Sequence, residues 1–89
     1  METLPRNVTA YKRTPTFTEE TVPGGLLKDH STADGVWGLI QIESGKLEYT
    51  IGDDEIHELT PGNDGVVQPT VTHHIRPIGE VAFFVEFYK

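Results

Sequence analysis

No stretch of this chain can be written as an amphipathic helix, and that constrains the fold more than any other feature. No window of eleven or more residues carries apolar side chains at i, i+3, i+4 and i+7 without a Gly, a Pro or a β-branched cluster breaking the pattern. Short apolar or alternating runs recur instead, each bounded by turn chemistry: PGG at 23–25, STADG at 31–35, SG at 44–45, GDD at 52–54, TPGNDG at 60–65 and RPIGE at 76–80. Regularly punctuated short strands predict an all-β domain of sandwich or barrel type with roughly seven to nine strands. The chain has 89 residues and is expected to form one domain over 1–89. Residues 1–15 form a possible N-terminal arm that pairs with a sheet edge or with a second subunit.

The expected strands can be placed. Thr16–Thr18 is a short one, and Leu26–His30 is a candidate. Val36–Glu43 is the strongest, followed by a two-residue hairpin at Ser44-Gly45. Lys46–Ile51 alternates, with Leu47, Tyr49 and Ile51 on one face. Glu55–Leu59 reads as an edge strand, and Val81–Tyr88 closes the chain after a turn at 76–80.

Composition removes several classes of function. Fourteen acids against seven bases give a net charge of −7, which disfavours nucleic acid, since that binding rests on Lys and Arg contacts to phosphate. There are no cysteines, so disulfides, thiolate metal sites and cysteine catalysis are excluded; the expected compartment is the reducing cytoplasm. No apolar run approaches ~18 residues, so no membrane contact through a spanning helix is expected. No Gly-rich phosphate loop opens a helix, and neither Ser31 nor Ser44 has the context of a nucleophile elbow.

Chemistry concentrates in the histidines. In Thr70–Ile75 two of them are adjacent, and a strand must point them to opposite faces. Val71, His73 and Ile75 share an apolar face, so His73 points inward; His74 lies among Thr70, Thr72 and Arg76 and points to solvent. A buried imidazole needs partners for its ring nitrogens. His73 therefore either bonds a backbone carbonyl or hydroxyl, or acts as a ligand or acid/base group. Glu86 is a second anomaly, because residues 83–88 (FFVEFY) are apolar on both parities. It is either a solvated carboxylate or a buried one that needs a partner. His30 precedes a turn, where an exposed loop histidine is the simple alternative to a site residue. His57 sits among acids and reads as a solvated edge histidine. Two inward histidines with one carboxylate would suit Fe(II), Zn(II), Mn(II) or Ni(II) with open coordination positions. Trp37, Tyr49 and Phe84 are candidates for a ligand pocket, with plain core packing as the alternative.

Residues 11–17 (YKRTPTF), 27–32 (LKDHST), 35–40 (GVWGLI), 69–73 (PTVTH) and 84–88 (FVEFY) together resemble the DUF1971 family. These are small cupins similar to the N-terminal cupin-like domain of the tellurite-resistance protein TehB. The resemblance implies a jelly-roll (double-stranded β-helix) barrel, a divalent metal or a small-molecule or oxyanion ligand inside it, a relation to tellurite resistance, and a homodimer, since cupins commonly pair through sheet edges. It implies His30 and His73 as the retained metal pair. The sequence departs from the general cupin pattern: Gly38 stands where a glutamate ligand falls, one first-motif histidine is absent, and Pro69 to His73 is one residue short. Two of four usual ligands are missing, and Glu86 is the candidate to supply the carboxylate from a new position. The competing expectation is a non-catalytic dimeric β-barrel that binds a partner or ligand without metal.

Overall fold

Two of the turn signals do not end strands; they bend them. The computed structural model describes residues 1–89 and contains six strands: β1 (Ala10–Arg13), β2 (Phe17–Thr18), β3 (Trp37–Ile51), β4 (Glu55–Leu59), β5 (Gly65–Val67) and β6 (His73–Tyr88). All pair antiparallel in one sheet, and there is no α-helix. The expected hairpin at Ser44-Gly45 is absent. β3 runs straight through it for 15 residues, and β6 runs for 16 through the turn expected at 76–80.

The reason is the pairing of the two long strands. Gly45 lies opposite Val81, and the ladder shifts register between Ile42 and Ser44 and again between Gly45 and Lys46. Gly45 adopts φ +81°, and a Cβ there would lie 2.1 Å from the Glu80 carbonyl oxygen. Gly79 answers it across the ladder at φ +68°. Positive-φ glycines inside a ladder make bulges, which bend a strand without ending it. What the sequence shows as two turns is one bend shared by a paired ribbon.

The bend divides the sheet into two halves. On one side, the start of β3 lies between β5 and the end of β6, which also carries β1 and β2. On the other, the end of β3 lies between β4 and the start of β6. Ile40, Ile42, Val67, Val81 and Phe83 from the first half and Leu47, Tyr49, Leu59 and Ile75 from the second form one buried cluster. Each such side chain contributes roughly 1.5–3 kcal/mol of gross transfer free energy.

Two further expectations change. Leu26–His30 is not a strand: Gly24–Leu27 is a single 3-10 turn, with Leu26 N–H donating to the Pro23 carbonyl at 3.0 Å. Only His30 pairs, through an isolated bridge to His73. Residues 70–72 are likewise not strand, because Thr70 takes φ 66° and turns the chain just before β6. The N-terminal residues pair with their own chain: β1 joins the end of β6, and Thr9 and Lys89 exchange both backbone hydrogen bonds.

Candidate functional site

The inner faces of β3, β5 and β6, the loop over 26–36 and β1 enclose a cavity of about 360 Å³. Nine of its fifteen lining residues are hydrophobic, among them Leu26, Val36, Ile40, Val67, Val85 and Phe87. A mainly apolar concavity with a few polar groups is the usual form of a small-molecule site. The charged and polar lining residues include Lys12, His30, Ser31, Thr32 and His73, and no Asp or Glu is among them.

His30 and His73 meet because their backbones pair. His30 N–H donates to the His73 carbonyl at 2.9 Å, and His73 N–H donates back at 2.8 Å. The rings follow, with centroids 4.1 Å apart and planes tilted by 59°. Each Nδ1 then bonds the carbonyl two residues earlier, His30 to Lys28 at 2.8 Å and His73 to Val71 at 3.1 Å. A carbonyl oxygen can only accept, so both Nδ1 atoms carry the proton and both Nε2 atoms present a lone pair. Neither Nε2 has a partner in the chain, and no buried side-chain nitrogen or oxygen is unsatisfied. The His73 Nε2 is therefore open, and His73 lines the cavity. Burial, at 4% exposure, pushes the His73 ring below its ordinary value of 6.5, with the bond to Val71 opposing and the neighbouring His30 and His74 assisting. It stands neutral, as an acceptor or a ligand.

None of the other sequence-predicted residues lines this cavity: Tyr49 packs in the core, and Glu86, Trp37 and Phe84 lie on the far side of the sheet. Tyr49 stands behind His73, its ring edge-on with centroids 5.7 Å apart. Its hydroxyl donates to the Val66 carbonyl at 2.9 Å, and burial pushes its pKa up. Glu86 alternates with Val85 and Phe87, which line the cavity, so it projects from the opposite face. There its carboxylate accepts from Gln41 Nε2 at 3.1 Å and from Tyr88 Oη at 2.9 Å. Trp37 lies opposite Tyr88 on the same outer face. Phe84 is there too, with the Arg13 guanidinium 3.6 Å from its ring centre. The structure thus brings His30 and His73 together and leaves Glu86 apart; no three His, Asp or Glu residues converge on a point where they could hold a metal ion.

His74, Arg76 and His57 keep to the outside. His74 Nδ1 bonds Asp29 Oδ1 at 2.8 Å. Arg76 grips Glu48 with two bonds of 3.0 and 3.2 Å, which hold the Glu48 carboxyl below its usual range. His57 bonds Glu55 at the sheet edge, at 2.6 Å. The sequence reading missed Lys12, Val85 and Phe87 as cavity residues. Continuing the alternation back from Tyr88 would have paired Val85 with Phe87, but no local signal joins Lys12 to them.

These features define an all-β domain built around an internal two-histidine cavity. Residues 12–85 match the family model of the TehB-like domain. The chain belongs to that family, and through it is related to the tellurite-resistance protein TehB. A structural-genomics target from E. coli strain K12 superposes with a TM-score of 0.90 at 22% identity, over 100% of this chain and 97% of that one. TehB from Haemophilus influenzae superposes with a TM-score of 0.86 at 23% identity, over 93% of this chain. This chain spans only 32% of that TehB. No curated protein matches the chain.

Proposed function

We propose that this chain is a small cupin-like jelly roll that binds a small, anionic molecule in the His30–His73 cavity. One observation carries the reading. Both Nδ1 atoms are tied to backbone carbonyls, and this leaves two Nε2 lone pairs that can accept from an O–H of a partly protonated oxyanion, while no carboxylate in the lining opposes its negative charge. The bent two-half sheet around one core supports the jelly-roll assignment. The TehB relation makes tellurite the first oxyanion to test. Activities of whole TehB do not transfer to a chain that spans 32% of it.

A second reading has its own support. A metal-bound histidine commonly donates its other ring N–H to a backbone carbonyl, which fixes the tautomer and the ring. His30 and His73 both have that arrangement. In this reading the pair holds Zn, Fe, Mn or Ni, and the small molecule fills the remaining coordination positions. Glu86 takes no part in either reading, since it faces away.

The test uses protein prepared without a metal-binding tag. A ligand panel is screened by thermal shift on wild type and His73→Gln, because binding to the native state alone raises the melting temperature. Ligand-dependent shifts in wild type that vanish in a folded His73→Gln variant support the cavity reading; identical shifts in both overturn it. Bound metal is measured on the same samples by mass spectrometry. Near-stoichiometric metal, lost in His73→Gln, establishes the second reading. Its absence after incubation with all four metals removes it.

A further inference from the structure

Resting on the cavity-binding reading, we infer that the ligand is an amphipathic anion, an apolar body carrying one carboxylate-like group, and that Lys12 selects its charge. The β1–β6 register supplies the first reason. Lys12 lies opposite Phe87, a cavity residue, whereas Arg13 lies opposite Glu86 on the outer face. Two consecutive cations are thus split by strand alternation, one to the mouth of the cavity and one to the outside. Their fates differ: the Arg13 guanidinium is stacked on Phe84, while Lys12 makes no ion pair or side-chain hydrogen bond.

Charge around the mouth points the same way. The chain has 14 acids against 7 bases, yet no acid lines the cavity. The nearest in sequence to the histidine pair, Asp29, is taken up by His74 on the outside. In a protein whose overall field repels anions, a local excess of positive charge free of carboxylates favours an anion at this one place.

The walls decide what the anion is attached to. A bare oxyanion fills little of about 360 Å³ and leaves Ile40, Val67, Val85 and Phe87 without contacts. An aliphatic or aromatic body against these residues contributes in proportion to the apolar area it buries. The body then occupies the interior while the charged end stays near Lys12.

Calorimetric titration of hexanoate, 1-hexanol, hexylamine and tellurite into wild type and Lys12→Gln tests this. Lys12 is exposed on an edge strand, so Lys12→Gln is expected to keep the wild-type melting temperature. Hexanoate should bind wild type roughly tenfold more tightly than 1-hexanol, the margin of a charged hydrogen bond over a neutral one. Lys12→Gln should remove that margin without changing hexanol binding, and Lys12→Arg should restore it. Hexanol or hexylamine binding as tightly as hexanoate overturns the charge assignment and leaves the cavity reading standing. Tellurite binding more tightly than hexanoate overturns the amphipathic ligand. No binding by any probe overturns both.

Discussion

Along β6, His73 and His74 are neighbours in sequence and live in different media. His73 is 4% exposed, with its Nδ1 held by a main-chain carbonyl and its Nε2 free at the cavity. His74 is half-buried on the outer face, and its Nδ1 pairs with the Asp29 side chain. The same contrast runs along both long strands. Inside, polar groups are anchored by backbone and one lone pair per ring is left over. Outside, they are matched side chain to side chain: His74 with Asp29, Arg76 with Glu48, Glu86 with Gln41 and Tyr88. Anchoring by backbone fixes a ring and its tautomer while leaving capacity to bind; pairing with another side chain uses that capacity up.

Adjacent aromatics give the largest test of this contrast. Phe83 is fully buried and Phe84 is half-buried under Arg13. Phe83→Ala should cost about 3–5 kcal/mol in urea unfolding, while Phe84→Ala should cost about 1 kcal/mol. Equal losses would mean that the two faces are not distinct. The bend that creates an inside comes next. Gly45→Ala places a Cβ against the Glu80 carbonyl at a positive φ. It should cost about 2–4 kcal/mol, from backbone strain and overpacking together. A stability within about 0.5 kcal/mol of wild type would show that the bulge is not required.

A smaller effect comes from protons. The folded chain holds His73 below 6.5, so as pH falls the unfolded chain takes up that proton first. Stability should therefore decline as pH drops from about 7 to about 5, and a His73→Gln variant should lose that part of the slope. Glu48 and Glu55 are held below 4.5 by Arg76 and His57 respectively, so their contributions are lost only at lower pH and do not mask it. A wild-type slope that survives His73→Gln intact contradicts the assignment. The smallest effect is on the outside. His74→Ala should change stability by less than about 1 kcal/mol, and the difference should shrink in high salt, as for an exposed ion pair.

How far each residue could be read from sequence follows from the range of the signal. The inward His73 and outward His74 were legible because one parity of residues 71–76 is apolar apart from His73. Glu86, Trp37 and Phe84 were not legible as outer-face residues. Residues 83–88 are apolar on both parities, so alternation cannot say which set faces in. That depended on Arg13 stacking over Phe84, and on Gln41 and Tyr88 meeting Glu86. His30 was a plausible member of the pair by resemblance, but its place was misread as the end of a strand when it forms a single bridge.

By itself, the sequence determined an all-β chain, the alternation of a segment such as 46–51 and the direction of His73, because each rests on the two-residue period of a strand. Only the tertiary structure decided that the glycines at 45 and 79 bend a ribbon and do not close hairpins, since a positive-φ glycine looks the same in a turn and in a bulge. It also decided that His30, His73 and Lys12 share one cavity while Glu86 does not. That convergence is set by the registers of β1 and of the His30 bridge against β6, between residues far apart in the chain, and no local pattern encodes it.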